Sequence, residues 1–223
     1  MFLNIFLPND DAMNKILKYT SVCLALLLVV FFSLDIQKID EVTSSENPEL
    51  FNADDYALRF WETELPSCIE EAADIDQIAG LLKSDPLQAI KVYSHKLGIS
   101  QTYYYMVKGS GRVLSVDEEY LAIETDGRNK LHIATAFIFG NAVRDGSGKV
   151  DIDDFLNMTE FNNVSVAINK IVKERVITGL EERISPGMLL QFAGALEISG
   201  DNPYTDILKI IPVSIILMDG DTE

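Results

Sequence analysis

The residues best able to do chemistry gather between positions 140 and 169. The stretch Asp145-Gly146-Ser147-Gly148-Lys149-Val150-Asp151-Ile152-Asp153-Asp154 has the acid and glycine content of a calcium-binding loop. In the register of an EF-hand, Gly148 takes the sixth place and Val150 the eighth. The first ligand is then Val143, which has no side-chain oxygen, and the twelfth is Asp154 in place of the usual Glu. The motif is broken, so the stretch is expected to be a solvated acidic turn, and no metal is assigned. His95 and His132 lack the spacing of a Cys-x-x-Cys or His-Glu-x-x-His site, which argues against zinc. Lys108-Gly109-Ser110-Gly111-Arg112 could cradle an anion through its amides, but it reads first as the turn of a hairpin. Cys68 has no basic neighbour in sequence to lower its pKa and is expected to be a small apolar residue, not a nucleophile. Trp61, Tyr103, Tyr104 and Tyr105 could stack on sugar rings, yet read as core and strand residues. Carboxylates are plentiful and none is marked as a catalytic pair. No catalytic residue and no cofactor are assigned.

These residues sit in a chain of 223 residues, long enough to bury a core without disulfide or metal staples. Lys plus Arg number 18 against 35 Asp plus Glu, a net charge of −17. A nucleic-acid partner is excluded, because phosphates need basic surface. Apolar content is 48% with one long apolar run, which excludes a disordered chain and a multi-span membrane protein.

That run, from Tyr19 to Leu34, carries no charge. Lys15 and Lys18 precede it; Asp35, Asp40 and Glu41 follow. A helix over 16–34 would be about 28 Å long, close to the thickness of a bilayer core. The basic residues put its N-terminal side in the cytoplasm. The reading is a signal anchor over 13–34 that is retained, leaving the C-terminal part in the periplasm or outside the cell. No small-residue cleavage site follows the run, and Cys23 lies near its start, not just after it as lipidation requires. Residues 1–12 are a cytoplasmic tail or precede the true start at Met13, and 35–47 form a polar tether.

The remainder is expected to be α+β, a small helical subdomain over 48–98 followed by an OB-like β-barrel domain over 99–219. Asn52, Asp74 and Asp85 read as helix caps, with Pro66 and Pro86 in first turns. Leu87, Ile90, Tyr93 and Leu97 form the stripe of a helix that Gly98 ends, with His95 on it. Strands are expected over 101–108, 112–117, 120–125, 129–139, 187–198 and 207–217, with a loop at 140–154. One long amphipathic helix over 160–178 shows Phe161, Val164, Ile168, Ile171, Val172 and Val176 on one face. Pro212 requires an edge or a bulge in the last strand. Setting the extra hairpin aside, the order is three strands, helix, two strands, which is the OB order with the helix between the third and fourth barrel strands.

The chain also resembles a bacterial family, domain of unknown function 2291, described as predicted periplasmic lipoproteins. The pieces that carry the resemblance are Gly140-Asn141-Ala142-Val143-Arg144-Asp145, Asp153-Asp154-Phe155-Leu156-Asn157, Glu160-Phe161-Asn162-Asn163-Val164-Ser165 and Ala167-Ile168-Asn169. Asp55-Tyr56, Trp61, Pro66, Asp85-Pro86 and Val107-Lys108-Gly109 fit upstream, Phe192-Ala193-Gly194-Ala195 and Ile211-Pro212-Val213 downstream. The resemblance implies a helical subdomain on an OB-like barrel. It also implies a setting, since such proteins are often encoded beside sugar ABC transporter genes, and it implies no activity.

Three functions follow as expectations. The first is a non-enzymatic, membrane-held accessory that binds a ligand, or contacts the permease or binding protein of a sugar ABC transporter. Its candidate ligand- or partner-binding residues are Arg144, Asp145, Asp154, Asn157 and Asn169, polar side chains around a loop after a barrel strand. The same residues could equally form a structural network, with Arg144 paired to Asp145 or Asp154 and the asparagines capping backbone. The second is an envelope glycan hydrolase, which needs two carboxylates in one cleft. The third is a structural module that packs on another envelope protein.

Overall fold

The helical part begins where Asn52 accepts hydrogen bonds from the amides of Asp54 and Asp55, opening α1 (Ala53–Arg59). In the computed structural model the described residues are 51–136, 138–199 and 207–218, with 18–21 and 24. Residues 18–21 and 24 are helical; the rest of the expected anchor (13–34), the tail and the tether lie outside the described residues. Among the described residues no helix is long and apolar enough to cross a membrane.

After α1 the helix widens to π pitch over Phe60–Glu64 and tightens again as α2 (Leu65–Glu71). Pro66 stands in the first turn of α2, directly after the π turn and inside the continuous helical run. A short strand, β1 (Ala73–Asp74), leads into α3 (Ile75–Ser84), whose cap Asp74 accepts from Gln77 N at 3.0 Å. Asp85 caps α4 (Pro86–Tyr93) in the same way, accepting from Gln88 N at 3.1 Å. α4 stops at Tyr93, short of Leu97, so His95 is not helical. It exchanges backbone hydrogen bonds with Tyr104 instead.

The strands follow. β2 runs unbroken from Thr102 to Val116, which corrects the expected hairpin at Gly109-Ser110-Gly111. The two glycines are there for clearance. A Cβ on Gly109 would run into the Ile75 and Phe192 side chains, and one on Gly111 into the Glu124 carbonyl. β3 (Tyr120–Thr125) turns into β4 (Lys130–Ala134), which is shorter than the strand expected over 129–139. The turn is tied to α3. Asp76 accepts from Gly127 N at 2.9 Å, from Asn129 Nδ2 at 2.7 Å and from the Thr125 hydroxyl. The segment expected as a loop holds α5 (Ala142–Ser147) and a 3-10 turn at Ile152–Asp154. The long helix α6 (Met158–Ile171) passes into a π turn over Val172–Ile177. β5 (Leu189–Ser199) and β6 (Leu208–Met218) complete the sheet.

β2 pairs antiparallel with β3, β3 with β4, β4 parallel with β6, β6 antiparallel with β5, and β5 antiparallel with β2. The ring of pairings therefore returns to its first strand, and β1 adds parallel to β2 outside it. Pro212 faces Gly194 where the β5–β6 register shifts, a bulge inside the sheet.

Two cores explain the burial pattern. One is enclosed by the strands and α3, with Ile75, Ile78, Tyr105, Val107, Leu121, Leu131, Leu190 and Ile210. The other lies between the outer face of β2, β5 and β6 and the helices α1, α2, α5 and α6, with Phe60, Cys68, Tyr104, Met106, Val143, Val164, Ile168 and Ala195. β3 alternates half-buried with buried, whereas β2 buries four residues in a row, Tyr104 to Val107, because both of its faces are covered. Each aliphatic side chain fully buried in this way contributes about 1.5–3 kcal/mol.

Candidate functional site

Helix α5 is buried at all six positions and carries Arg144 and Asp145 into the interior. Arg144 is 1% exposed. Its Nε donates to Asp145 Oδ1 at 2.7 Å and its Nη1 to the Phe161 carbonyl at 2.9 Å. The guanidinium lies 3.5 Å from the centre of the Phe161 ring, a desolvated cation–π contact. Asp154 stands in the exposed 3-10 turn. Asn157 caps α6, accepting from Glu160 N at 3.0 Å, while the Glu160 carboxylate accepts from Leu156 N at 3.1 Å. Asn169 donates from Nδ2 to the Gly140 carbonyl at 2.9 Å, pinning the chain after β4 to α6.

The candidate residues thus do not converge on one cleft. Asn169 lines a cavity of about 680 Å³ between the 135–141 connection and the outer face of α6. Asp145 lines a smaller one of about 220 Å³, with His95 and Gly148. Arg144, Asp154 and Asn157 line neither.

The larger cavity is built by sequence that reasoning from the acids passed over. Ile138, Phe139 and Val166 form an apolar wall. Asn141, Asn162 and Asn169 supply amides, Thr135 and Ser165 hydroxyls, and Lys170 and Lys173 positive charge. Ser165 is buried, and its Oγ has no hydrogen-bond partner within the protein. A serine inside a helix ordinarily returns its hydroxyl to the carbonyl four residues back. Here that carbonyl belongs to Phe161 and already accepts from Arg144. Lys170 pairs with Asp54 at 3.5 Å, both side chains largely exposed, while Lys173 makes no ion pair among the described residues. The signal in the sequence was the stripe Ser165, Asn169, Lys173, one turn apart on the helix, beside the apolar face that Phe161 and Ile168 define.

The smaller cavity has different chemistry. His95 lies over the backbone of Gly148, which ends α5 in the left-handed conformation at φ 62°. Burial, with help from Lys149, holds the His95 pKa below its ordinary 6.5. Burial and the neighbouring Asp145 push Glu197 up, and Tyr104 is pushed to about 12, chiefly by burial. Cys68 is a buried free thiol whose pKa is raised by burial; its Sγ lies 3.7 Å from the Ser147 carbonyl. That is a packing residue, not a nucleophile. Val143–Ser147 being helical, the EF-hand register has no loop to occupy. Among the described residues no group of three or more His, Cys, Asp or Glu is placed to hold a metal. Tyr104 and Tyr105 are core residues, and Trp61 packs against the helical core.

A closed ring of five strands with a helix between the third and fourth defines an OB-like α+β protein. A solved OB-fold protein from Thermotoga maritima superposes with a TM-score of 0.69 at 23% identity, covering 76% of this chain and 100% of that one. At that identity the likeness speaks for the fold alone. The model of the family described as "Predicted periplasmic lipoprotein", domain of unknown function 2291, matches residues 24–216, and the chain belongs to that family. The description is that of an extracytoplasmic protein of unknown function. No curated protein matches the sequence.

Proposed function

We propose that this protein is a non-enzymatic binding component, held at the outer face of the cytoplasmic membrane, that serves a sugar ABC import system. The closed strand ring is read as an OB-like barrel that acts as scaffold, with the working surface on the helical side. The observation that carries the reading is the 680 Å³ cavity, whose lining combines amides, hydroxyls, lysines and an apolar wall. Its size falls in the range of small-ligand sites. Among the described residues its lining has no carboxylate, so the acid pair of a glycan hydrolase has no counterpart there. A glycan hydrolase would need two carboxylates across the ligand. The family membership supports the extracytoplasmic setting, and the family resemblance supplies the transporter.

The test is affinity purification of the full-length protein from solubilised membranes, followed by mass spectrometry of what accompanies it. A sugar permease or its binding protein is the expected companion. Recovery of nothing above background, or only of structural envelope proteins, would overturn the accessory role.

A further inference from the structure

Helix α6 and the π turn after it present one stripe to the large cavity. Asn162, Val166, Asn169 and Lys173 line it and follow one another at spacings of four, three and four residues, which puts them on one face. The stripe is about 16 Å long, about three turns. The facing wall is the 135–141 connection, with Ala136, Ile138 and Phe139. Asn169 ties the two walls together through the Gly140 carbonyl at 2.9 Å, so the fold itself holds the groove in shape. Its apolar part is open to solvent. Phe139 is 69% exposed and Val166 67%, and exposed apolar side chains gathered in a groove mark contact with another molecule. Its charge is opposite to that of the protein. Acids outnumber bases 35 to 18 over the chain, yet among the described residues the lining holds Lys170, Lys173 and no acid. Lys170 has Asp54 at 3.5 Å, an exposed pair of little strength. Lys173 is exposed and makes no ion pair among the described residues.

From this arrangement we infer that the groove docks a short acidic amphipathic helix of a partner protein, with an apolar side chain on Phe139 and Val166 and a carboxylate on Lys173. A helix laid along α6 meets it once per turn, the interval at which the stripe repeats. Val166 and Lys173 are seven residues apart, so the partner's apolar anchor and its acid stand about two turns apart. A small polar solute would leave the apolar rim in water, whereas a helix covers it. A bilayer does not suit the groove, because a chain of net charge −17 is repelled by anionic lipid. A second copy is as acidic as the first, and a groove filled by a different patch of that copy makes a contact that does not close. This inference rests on the cavity being the binding surface proposed above.

Photocrosslinking of the full-length protein in its native cells tests it. The photoreactive residue p-benzoylphenylalanine replaces Val166 or Phe139, and in a control it replaces Leu87, which is 77% exposed and outside the cavity. All three side chains are mainly exposed, so the thermal midpoint should stay at its wild-type value. Mass spectrometry of the adducts is expected to give the same partner segment from positions 166 and 139, and not from 87. That segment should carry apolar residues at helical spacing and an Asp or Glu two turns from the crosslinked residue. Lys173→Glu should lower the adduct yield about tenfold by setting like charges together. A lysine in place of the partner's acid should restore it. Adducts with lipid only, with a second copy of this chain or with nothing would overturn the inference, as would a yield that Lys173→Glu leaves unchanged. A docked partner from outside the transport system would leave the inference standing and overturn the accessory role. A permease recovered by purification, with no adduct at 166 or 139, would do the reverse.

Discussion

Arg144 and Asp145 form a pair that is central to the fold, the structural one of the two readings their sequence offered. Adjacent in the chain, they read as a loop after a strand. In the fold both are buried, and the guanidinium joins α5 to α6 through the Phe161 carbonyl and ring. Removing one partner leaves the other charge buried and unpaired, which costs about 3–5 kcal/mol. Arg144→Met is therefore expected to lower unfolding stability by that amount in urea denaturation. The double variant Arg144→Met/Asp145→Leu should be less destabilised than Arg144→Met alone. His95 makes a second prediction at this scale. Its folded pKa lies below 6.5, so the unfolded chain binds the proton more readily. The stability that the neutral imidazole supports is complete above that value. It is lost as the pH falls below 6.5 and stops falling once the pH is under the folded pKa. Glu197, raised in the fold, acts with the opposite sign, gaining stability as it protonates. His95→Gln should therefore flatten the decline in urea midpoint between pH 7.5 and pH 5.5.

At the scale of elements, what was legible depended on how local the cause was. Asn52, Asp74 and Asp85 could be read as caps because a cap is decided within three residues. The same holds for Asn157, and Asn157→Ala is expected to cost about 1 kcal/mol of stability, measured by thermal or chemical unfolding. The bulge at Pro212 was legible because proline has no N–H to give an interior strand. Gly109 and Gly111 misled because their cause is distant. The glycines make room for Ile75 from α3 and for the β3 backbone, contacts that no local window contains. α5 was missed because a helix buried on every side has no amphipathic period to detect. The cavity stripe Ser165, Asn169, Lys173 was present in the sequence of α6. The apolar face beside it drew attention because burial is what periodicity reports best, whereas a polar binding stripe resembles any solvated face.

For the molecule as a whole, the strand order and the family were legible because both rest on ordered sets spread along the chain, and no single motif decides either. Strand order, with one helix inserted, matches the closed ring of pairings, and the family match covers nearly all of the chain. The cavity was not legible, because it is assembled from a connection and a helix face that meet only after the strands close. The central claim is that this protein serves sugar import through that cavity. Uptake of labelled sugars by cells lacking the gene tests it most directly, with the gene restored either as wild type or as Val166→Trp. Val166 is exposed and lines the cavity, so the indole fills the site without entering the core. The account predicts that deletion slows uptake of at least one sugar, that the wild-type gene restores it and that Val166→Trp does not. Equal uptake of every sugar with and without the gene, or full rescue by Val166→Trp, would contradict it.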